Sequence, residues 1–167
     1  MGRLMPQRHQ LYLDTNAAIL LVEGEGILRE MLRDLTDKAS SRPGAILATG
    51  ALTVSELLVK PLRQNDTRLI EIYRAWVSGL PWLQIVPVSN GILDMAAQLR
   101  ARRAGLKLPD AIHVASGLAI GTTHFLTDDH GISNSVTSAS SEEPGSFEVC
   151  HLDAPSLTSL IESLSAS

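Results

Sequence analysis

The sequence predicts a three-layer α/β/α fold with a central, mainly parallel β-sheet. Short apolar segments that resemble strands alternate along the chain with longer segments that have the apolar spacing of helices. The first strand candidate, residues 11–13, is continuously apolar, as buried parallel strands usually are. The chain has 167 residues and 44% hydrophobic residues, which is enough for one domain with a substantial core. We therefore expect a single domain over residues 1–167.

The first half of the chain predicts two strands and four helices. Apolar residues in 25–39 recur with helical spacing, and SSRPG at 40–44 ends that helix because Pro and Gly interrupt regular structure. Gly79-Leu80-Pro81 ends a later helix in the same way. The predicted strands are 11–13 and 45–48, and the predicted helices are 16–22, 25–39, 53–63 and 67–78.

The second half predicts three strands and three helices. Ser89 or Asn90 can cap a helix that stops at Gly105, and Pro109 suits the first position of the next helix, which stops at Gly121. Residues 133–146 are Ser-rich and polar, so we expect a flexible loop there. The predicted strands are 83–88, 123–126 and 147–152, and the predicted helices are 90–104, 110–120 and 155–164.

Charge and cysteine content limit the classes of function. The net charge of −4 argues against a surface that is generally adapted to nucleic acid. Two basic clusters remain: Arg100, Arg102, Arg103 and Lys107, and separately Arg63, Arg68 and Arg74. The first could complement a helix C-terminus or contact phosphates. The single cysteine, Cys150, forms no internal disulfide, and no segment has the apolar length of a signal peptide or membrane span. We expect a cytoplasmic protein.

Four short segments place carboxylates where the backbone should be rigid: LYLDTN at 11–16, VSE at 54–56, LPDAIH at 108–113 and FLTDDHG at 125–131. In open α/β sheets, ligand sites gather at the carboxyl ends of strands. Carboxylates in one pocket repel one another unless a cation neutralises them. Oxygen ligands without a Cys or His cluster suit Mg²⁺ or Mn²⁺. The candidate ligands are Asp14, Glu56, Asp110, Asp128 and Asp129.

Each carboxylate also has a structural explanation. Asp14 or Thr15 could simply cap the following helix, and Thr53-Val54-Ser55-Glu56 fits a capping box, which for Glu56 alone is the better explanation. An aspartate in a first helical turn, such as Asp110, is favoured by the helix dipole. We expect His113 to pack structurally rather than bind metal. The functional hypothesis therefore depends on all four segments together.

The same segments carry a resemblance to a known family. LYLDTNAAI, LTVSELLVKPLR and LKLPDAIHVASGLAIGTTHFLTDDHGI resemble the strand, the Glu-bearing helix and the Asp-Ala-X-His to Thr-X-Asp region of PIN-domain ribonucleases, most closely VapC-type toxins. The resemblance covers roughly residues 11–155 and implies a PIN-like fold. It implies that Asp14, Glu56, Asp110 and Asp129 form the acidic quartet, with Asp128 as an alternative ligand. Asn16 and Thr127 would orient these carboxylates.

The resemblance also implies a reaction and partners. It implies hydrolysis of RNA phosphodiester bonds with Mg²⁺ or Mn²⁺, a homodimer, and a cognate antitoxin that blocks the site. DNA as substrate stays open, because RNA is implied by the family alone. A haloacid-dehalogenase-like phosphatase would need an aspartate where this chain has Asn16, and a receiver domain would need paired acids before its first helix. The remaining alternative is a PIN-like scaffold that binds RNA or protein without cleavage.

Overall fold

A computed structural model describes residues 10–42, 46–78, 80–134 and 146–166. Strands and helices alternate through most of these residues, as the apolar patterning predicts. The strands are β1 (Gln10–Leu13), β2 (Ile46–Gly50), β3 (Leu83–Val86), β4 (His124–Thr127) and β5 (Glu148–His151). The helices are α1 (Thr15–Glu23), α2 (Ile27–Ser40), α3 (Ala51–Gln64), α4 (Thr67–Ser78), α5 (Asn90–Arg102), α6 (Leu108–Ala119) and α7 (Ala154–Ala166).

The five strands form one sheet in the order β3-β2-β1-β4-β5, and every neighbouring pair is parallel. This confirms the predicted α/β fold. The first strand in sequence lies at the centre, with Leu13 paired to Thr49 on one side and to Leu126 on the other. Because all strands run the same way, their carboxyl ends meet at one edge. That edge carries the candidate site.

The alternation of side chains along β1 divides the core into two halves. Leu11 and Leu13 point to the face that is covered by α1, α2 and α7, whereas Tyr12 points to the face that is covered by α5 and α6. All three side chains are completely buried. On the second face, Tyr12 stacks on Phe125, which stacks in turn on Phe147, with ring centroids 5.0 and 4.9 Å apart. The helices α3 and α4 pack against each other beside α1.

Several predicted boundaries moved by two or more residues, and two predictions lie partly outside the described residues. The helix predicted from residue 53 begins at Ala51, because Gly50 ends β2 in an extended conformation and takes the cap position. The capping-box interpretation of Glu56 is therefore wrong. Asn65, with a φ of 53°, closes the same helix. The strand prediction at 45–48 begins on a residue that is not described, and most of the predicted Ser-rich loop at 133–146 also lies outside the described residues.

The described helices include none that is both long enough and apolar enough to cross a bilayer.

Candidate active site

The candidate site lies where β1, β2 and β4 end and helices α3 and α6 begin. Asp14 directly follows β1, and its backbone N–H donates to the Leu126 carbonyl of β4 at 3.1 Å. Thr127 is the last residue of β4, and Glu56 and Asp110 lie in the early turns of α3 and α6. The parallel sheet therefore brings together side chains that are more than one hundred residues apart in sequence.

Asp14 caps α1, as its structural explanation predicts, but it is also an unusual carboxylate. Its Oδ1 accepts from the Ala17 backbone N–H at 2.8 Å, and the side chain is almost completely buried. Burial raises the pKa of Asp14 to about 6, against the opposing effects of hydrogen bonds from Thr127 and Ala17, and Asp128 raises it further by repulsion. A simple surface cap would have a lowered pKa. Asp14 is thus a cap that is held in a site where its negative charge is disfavoured.

Thr127 connects two of the acidic segments. Its hydroxyl lies buried at the end of β4, interacts with the carboxylate of Asp14, and accepts from the backbone N–H of Asp129 at 3.0 Å. Asp129 in turn uses Oδ1 to accept from the Gly131 backbone N–H at 2.7 Å, which closes the turn after the strand. A Cβ at residue 131 would lie only 3.0 Å from that oxygen, so glycine suits this turn. Thr127 therefore supports the turn that presents Asp129.

Asp110 and Asp129 line one cavity. The cavity has a volume of about 490 Å³, and Arg103 and Lys107 line its wall together with the two carboxylates. Burial raises the pKa of Asp110, repulsion by Asp129 raises it further, and Lys107 acts in the opposite direction. The cavity thus combines two mutually repelling acids with two cationic side chains, which is a suitable arrangement for a phosphodiester and a small cation.

Asp128 points to a different part of the surface. It lines a groove on the α1 side with Asn16, Ile19 and Lys60, while Asp129 lines the cavity with Asp110. The repulsion that Asp128 exerts acts on Asp14. Asp129 is therefore the better partner for Asp110. Asn16 is exposed in the same groove as Asp128, and its role in orienting a carboxylate stays a prediction.

Glu56 contacts the side chains of Thr15 and His113, and not the backbone N–H that a capping box would involve. Its Oε2 accepts from the Thr15 hydroxyl and lies 2.9 Å from Nε2 of His113. Burial alone would raise the pKa of Glu56, but the hydrogen bonds from His113 and Thr15 hold it below its usual value. His113 is buried, as predicted, but it also forms hydrogen bonds: its Nδ1 lies 2.9 Å from the Tyr12 hydroxyl.

The donor set fits Mg²⁺ or Mn²⁺ in chemistry. Asp14 and Asp110 both have raised pKa values, with nearby acids contributing to each shift, so a bound cation would relieve repulsion in this site. Among the side chains in the described ranges, however, no three acids, histidines or cysteines already converge on one point that could hold a metal ion. Mg²⁺ commonly binds through one or two carboxylates and keeps several waters. The pair Asp110 and Asp129 meets that lower requirement, and ligation by the full quartet stays a prediction.

Sequence patterns alone do not predict that Tyr12, Thr15 and Gly50 contribute to the site. One pattern could have indicated Tyr12 and His113: each is a side chain with a polar group in an otherwise apolar strand or helix face, and such groups need a partner when buried. The contacts of Thr15 with Glu56 and of Gly50 with Tyr12 depend on the three-dimensional arrangement alone.

Comparisons with known proteins agree with this architecture. A toxin–antitoxin complex from Klebsiella pneumoniae is 22% identical, with a TM-score of 0.55 over 86% of this chain and 98% of the other. DNA-bound VapBC from Salmonella typhimurium is 17% identical, with a TM-score of 0.58 over 87% and 99%. VapC20 from Mycobacterium tuberculosis, described as a toxin that cleaves the sarcin–ricin loop, is 15% identical, with a TM-score of 0.56 over 69% and 86%.

Because the sequence identities are low, these similarities show a shared fold and nothing further. No curated protein sequence matches the chain. The PIN domain family matches residues 11–135, a range that begins within β1 and includes all five candidate acids. The chain therefore belongs to the PIN-domain family.

Proposed function

We propose that this protein is an endoribonuclease that hydrolyses RNA phosphodiester bonds with the help of Mg²⁺ or Mn²⁺, and that it is the toxin of a toxin–antitoxin pair. The observation that carries the proposal is the cavity in which Asp110 and Asp129 lie together beside Arg103 and Lys107. The cationic side chains can bind substrate phosphates, and the acids can hold a divalent ion at the scissile bond.

The proposed roles follow from the environment of each side chain. Asp110 and Asp129 would hold the cation, and Asp14, whose charge is disfavoured by burial, would join them when the positive charge is present. The side chain of Glu56 is about one-third exposed, and hydrogen bonds from His113 and Thr15 lower its pKa. Glu56 would orient the attacking water or bind a second ion. When bound, the ion would polarise the phosphodiester and lower the pKa of a bound water.

The partner proposal follows from the proteins that share the fold. The similar structures from Klebsiella pneumoniae and Salmonella typhimurium are described as toxin–antitoxin or VapBC complexes. An acidic cavity attracts basic side chains, so a cognate antitoxin could block this one by placing Arg or Lys among the acids. We further propose a homodimer that acts in the cytoplasm on RNA rather than DNA.

The test is cleavage of a single-stranded RNA pool with Mg²⁺ or Mn²⁺, comparing wild type, Asp110→Asn and Asp94→Asn. Asp94 is a matched control, because it is an exposed helical aspartate whose carboxylate accepts from Gln98 at 2.8 Å. We expect cleavage by wild type and Asp94→Asn that EDTA abolishes. We expect none by Asp110→Asn, whose thermal stability should be no lower than that of the wild type. A parallel DNA pool tests substrate class.

Two results would contradict the proposal. Undiminished cleavage by Asp110→Asn would remove that carboxylate from the site. A well-folded wild type that binds the RNA pool but cuts none of it, with either ion, would favour the scaffold that binds without cleavage.

A further inference from the structure

We propose that Tyr12 and His113 form a positioning pair that fixes the proton of His113 on Nε2 and thereby orients the carboxylate of Glu56 for catalysis. This inference rests on the proposed nuclease function, because it assigns to Glu56 a part in the reaction. It concerns a histidine that the sequence indicates only as a core residue.

The pair forms a continuous chain of contacts from the centre of the sheet to the site. The Tyr12 hydroxyl, at the middle of β1, lies 2.9 Å from Nδ1 of His113. Nε2 on the opposite side of the ring lies 2.9 Å from Oε2 of Glu56 and 3.2 Å from the Thr15 hydroxyl. The side chain of His113 is 5% exposed, and that of Glu56 is 32% exposed. The buried imidazole therefore links a completely buried phenol to a carboxylate that reaches the solvent.

The two contacts determine which nitrogen carries the proton. An ionised carboxylate accepts hydrogen bonds only, and Oε2 of Glu56 already accepts from the Thr15 hydroxyl. At 2.9 Å from that oxygen, Nε2 must donate. The phenol of Tyr12 carries a proton that it can donate, and its hydroxyl lies 2.9 Å from Nδ1. The donor and acceptor roles along the chain agree: Tyr12 donates to His113, and His113 donates to Glu56.

Gly50 provides the space for this arrangement. A Cβ at this position would lie 2.5 Å from the Tyr12 hydroxyl oxygen and 3.5 Å from Nδ1 of His113. The end of β2 therefore approaches the phenol so closely that a side chain there would displace it. Since Gly50 also caps α3, which carries Glu56, the same residue sets the position of the phenol and of the helix that bears the carboxylate.

The consequence for catalysis is a restricted set of Glu56 conformers. A glutamate on a solvent-exposed helical turn samples several rotamers, whereas Thr15 and His113 both donate to Oε2 of Glu56 and so restrict its rotamer. Residues that orient carboxylates in this way typically contribute roughly 10- to 100-fold to activity. We expect an effect of about that size here. His113 acts through Glu56 and is thus a positioning residue.

Two substitutions of His113 separate positioning from packing. The amide of glutamine reaches about as far as Nε2 and can still donate to Glu56, whereas the amide of asparagine reaches about as far as Nδ1 and keeps only the Tyr12 contact. We expect His113→Asn to lower kcat for RNA cleavage roughly 10- to 100-fold with little change in KM. We expect His113→Gln to keep most of kcat, although it removes the hydrogen bond between His113 and the Tyr12 hydroxyl and so lowers the unfolding midpoint.

A spectroscopic measurement tests the tautomer without any turnover. Two-bond ¹H–¹⁵N correlation spectra of the whole protein distinguish Nε2–H from Nδ1–H imidazole, and His113→Gln identifies the signal. We expect Nε2–H in the wild type. In Tyr12→Phe, Glu56 still accepts from Nε2, so we expect the same tautomer with a shifted Nδ1 resonance, because Nδ1 has lost the Tyr12 hydroxyl.

The outcomes are distinct. An Nδ1–H tautomer in the wild type, or equal kcat values for the two His113 variants, would overturn the inference even if RNA cleavage is confirmed. A wild type without nuclease activity would overturn the proposed function, and would be recognised before any His113 variant is compared.

Discussion

Replacing Asp14 with asparagine should make the metal-free protein more stable at pH 8. Asparagine is as good a helix cap as aspartate, so the hydrogen bond that the Ala17 backbone N–H donates at 2.8 Å can be kept. What the substitution removes is the charge. In the folded protein that charge lies in a site with 5% exposure and is repelled by Asp128.

The size of the effect follows from the pKa of Asp14. The value rises from 3.8 to about 6 on folding, and each unit corresponds to about 1.4 kcal/mol, so ionised Asp14 costs about 3 kcal/mol of folding free energy. An acid with a raised folded-state pKa favours folding when it is protonated. The cost is therefore absent below about pH 4, develops as the pH rises toward 6, and is complete above that. The advantage of Asp14→Asn should have the same pH dependence.

The assay is urea unfolding in EDTA at pH 4 and pH 8, with Asp153→Asn as the matched control. Asp153 also precedes a helix and accepts from the backbone N–H three residues on, at 2.8 Å, but it is more exposed, and hydrogen bonds from Ser156 lower its pKa. Its neutralisation should give no gain at pH 8, because its ionised form favours folding. The reasoning is refuted if Asp14→Asn shows no gain at pH 8, or if Asp153→Asn gains as much.

Three further predictions follow from the same contacts. Gly50→Ala should lower the free energy of unfolding by about 1–3 kcal/mol, since its Cβ would meet the Tyr12 hydroxyl, and the added Tyr12→Phe change should recover part of the loss in urea unfolding. Asp129→Asn should lower the pKa of Asp110, because repulsion by Asp129 raises it. The measurement is a carboxyl ¹³C titration without metal, and an unchanged pKa of Asp110 would show that the two carboxylates do not interact. Phe147→Ala should cost about 3–5 kcal/mol in the same unfolding assay, because the ring is buried and stacked; a loss below 1 kcal/mol would contradict the described packing.

The sequence predicts those parts of the site that depend on local pattern. Asp14 follows a continuously apolar strand and Asp110 follows Pro109 at a helix start, and the structure places both at the expected edge. The parallel pairing of strands that alternate with helices is likewise predictable, because it follows from the hydrophobic patterning.

The parts that could not be predicted depend on neighbours distant in sequence. The pattern Thr53-Val54-Ser55-Glu56 is compatible with a capping box, but β2 extends to Gly50 and moves the start of the helix, so Glu56 meets Thr15 and His113 instead. The choice between Asp128 and Asp129 depends on the direction of each side chain in a turn. The composition of the turn does not determine that direction. The direction of Asp129 is set by the hydrogen bond that its Oδ1 accepts from the Gly131 backbone N–H.

The central position of β1 has a consequence for the order of folding during synthesis. The strand that leads into Asp14 can pair with β2 early, but its other edge must wait for β4, whose Leu126 carbonyl receives the Asp14 backbone N–H. Contacts that are this far apart in sequence form late, since a long loop must close first. The cavity that contains Asp110 and Asp129 therefore cannot assemble on a nascent chain until residue 129 has left the ribosome. A PIN-domain protein with this topology would therefore lack its assembled acidic cavity through most of its own translation.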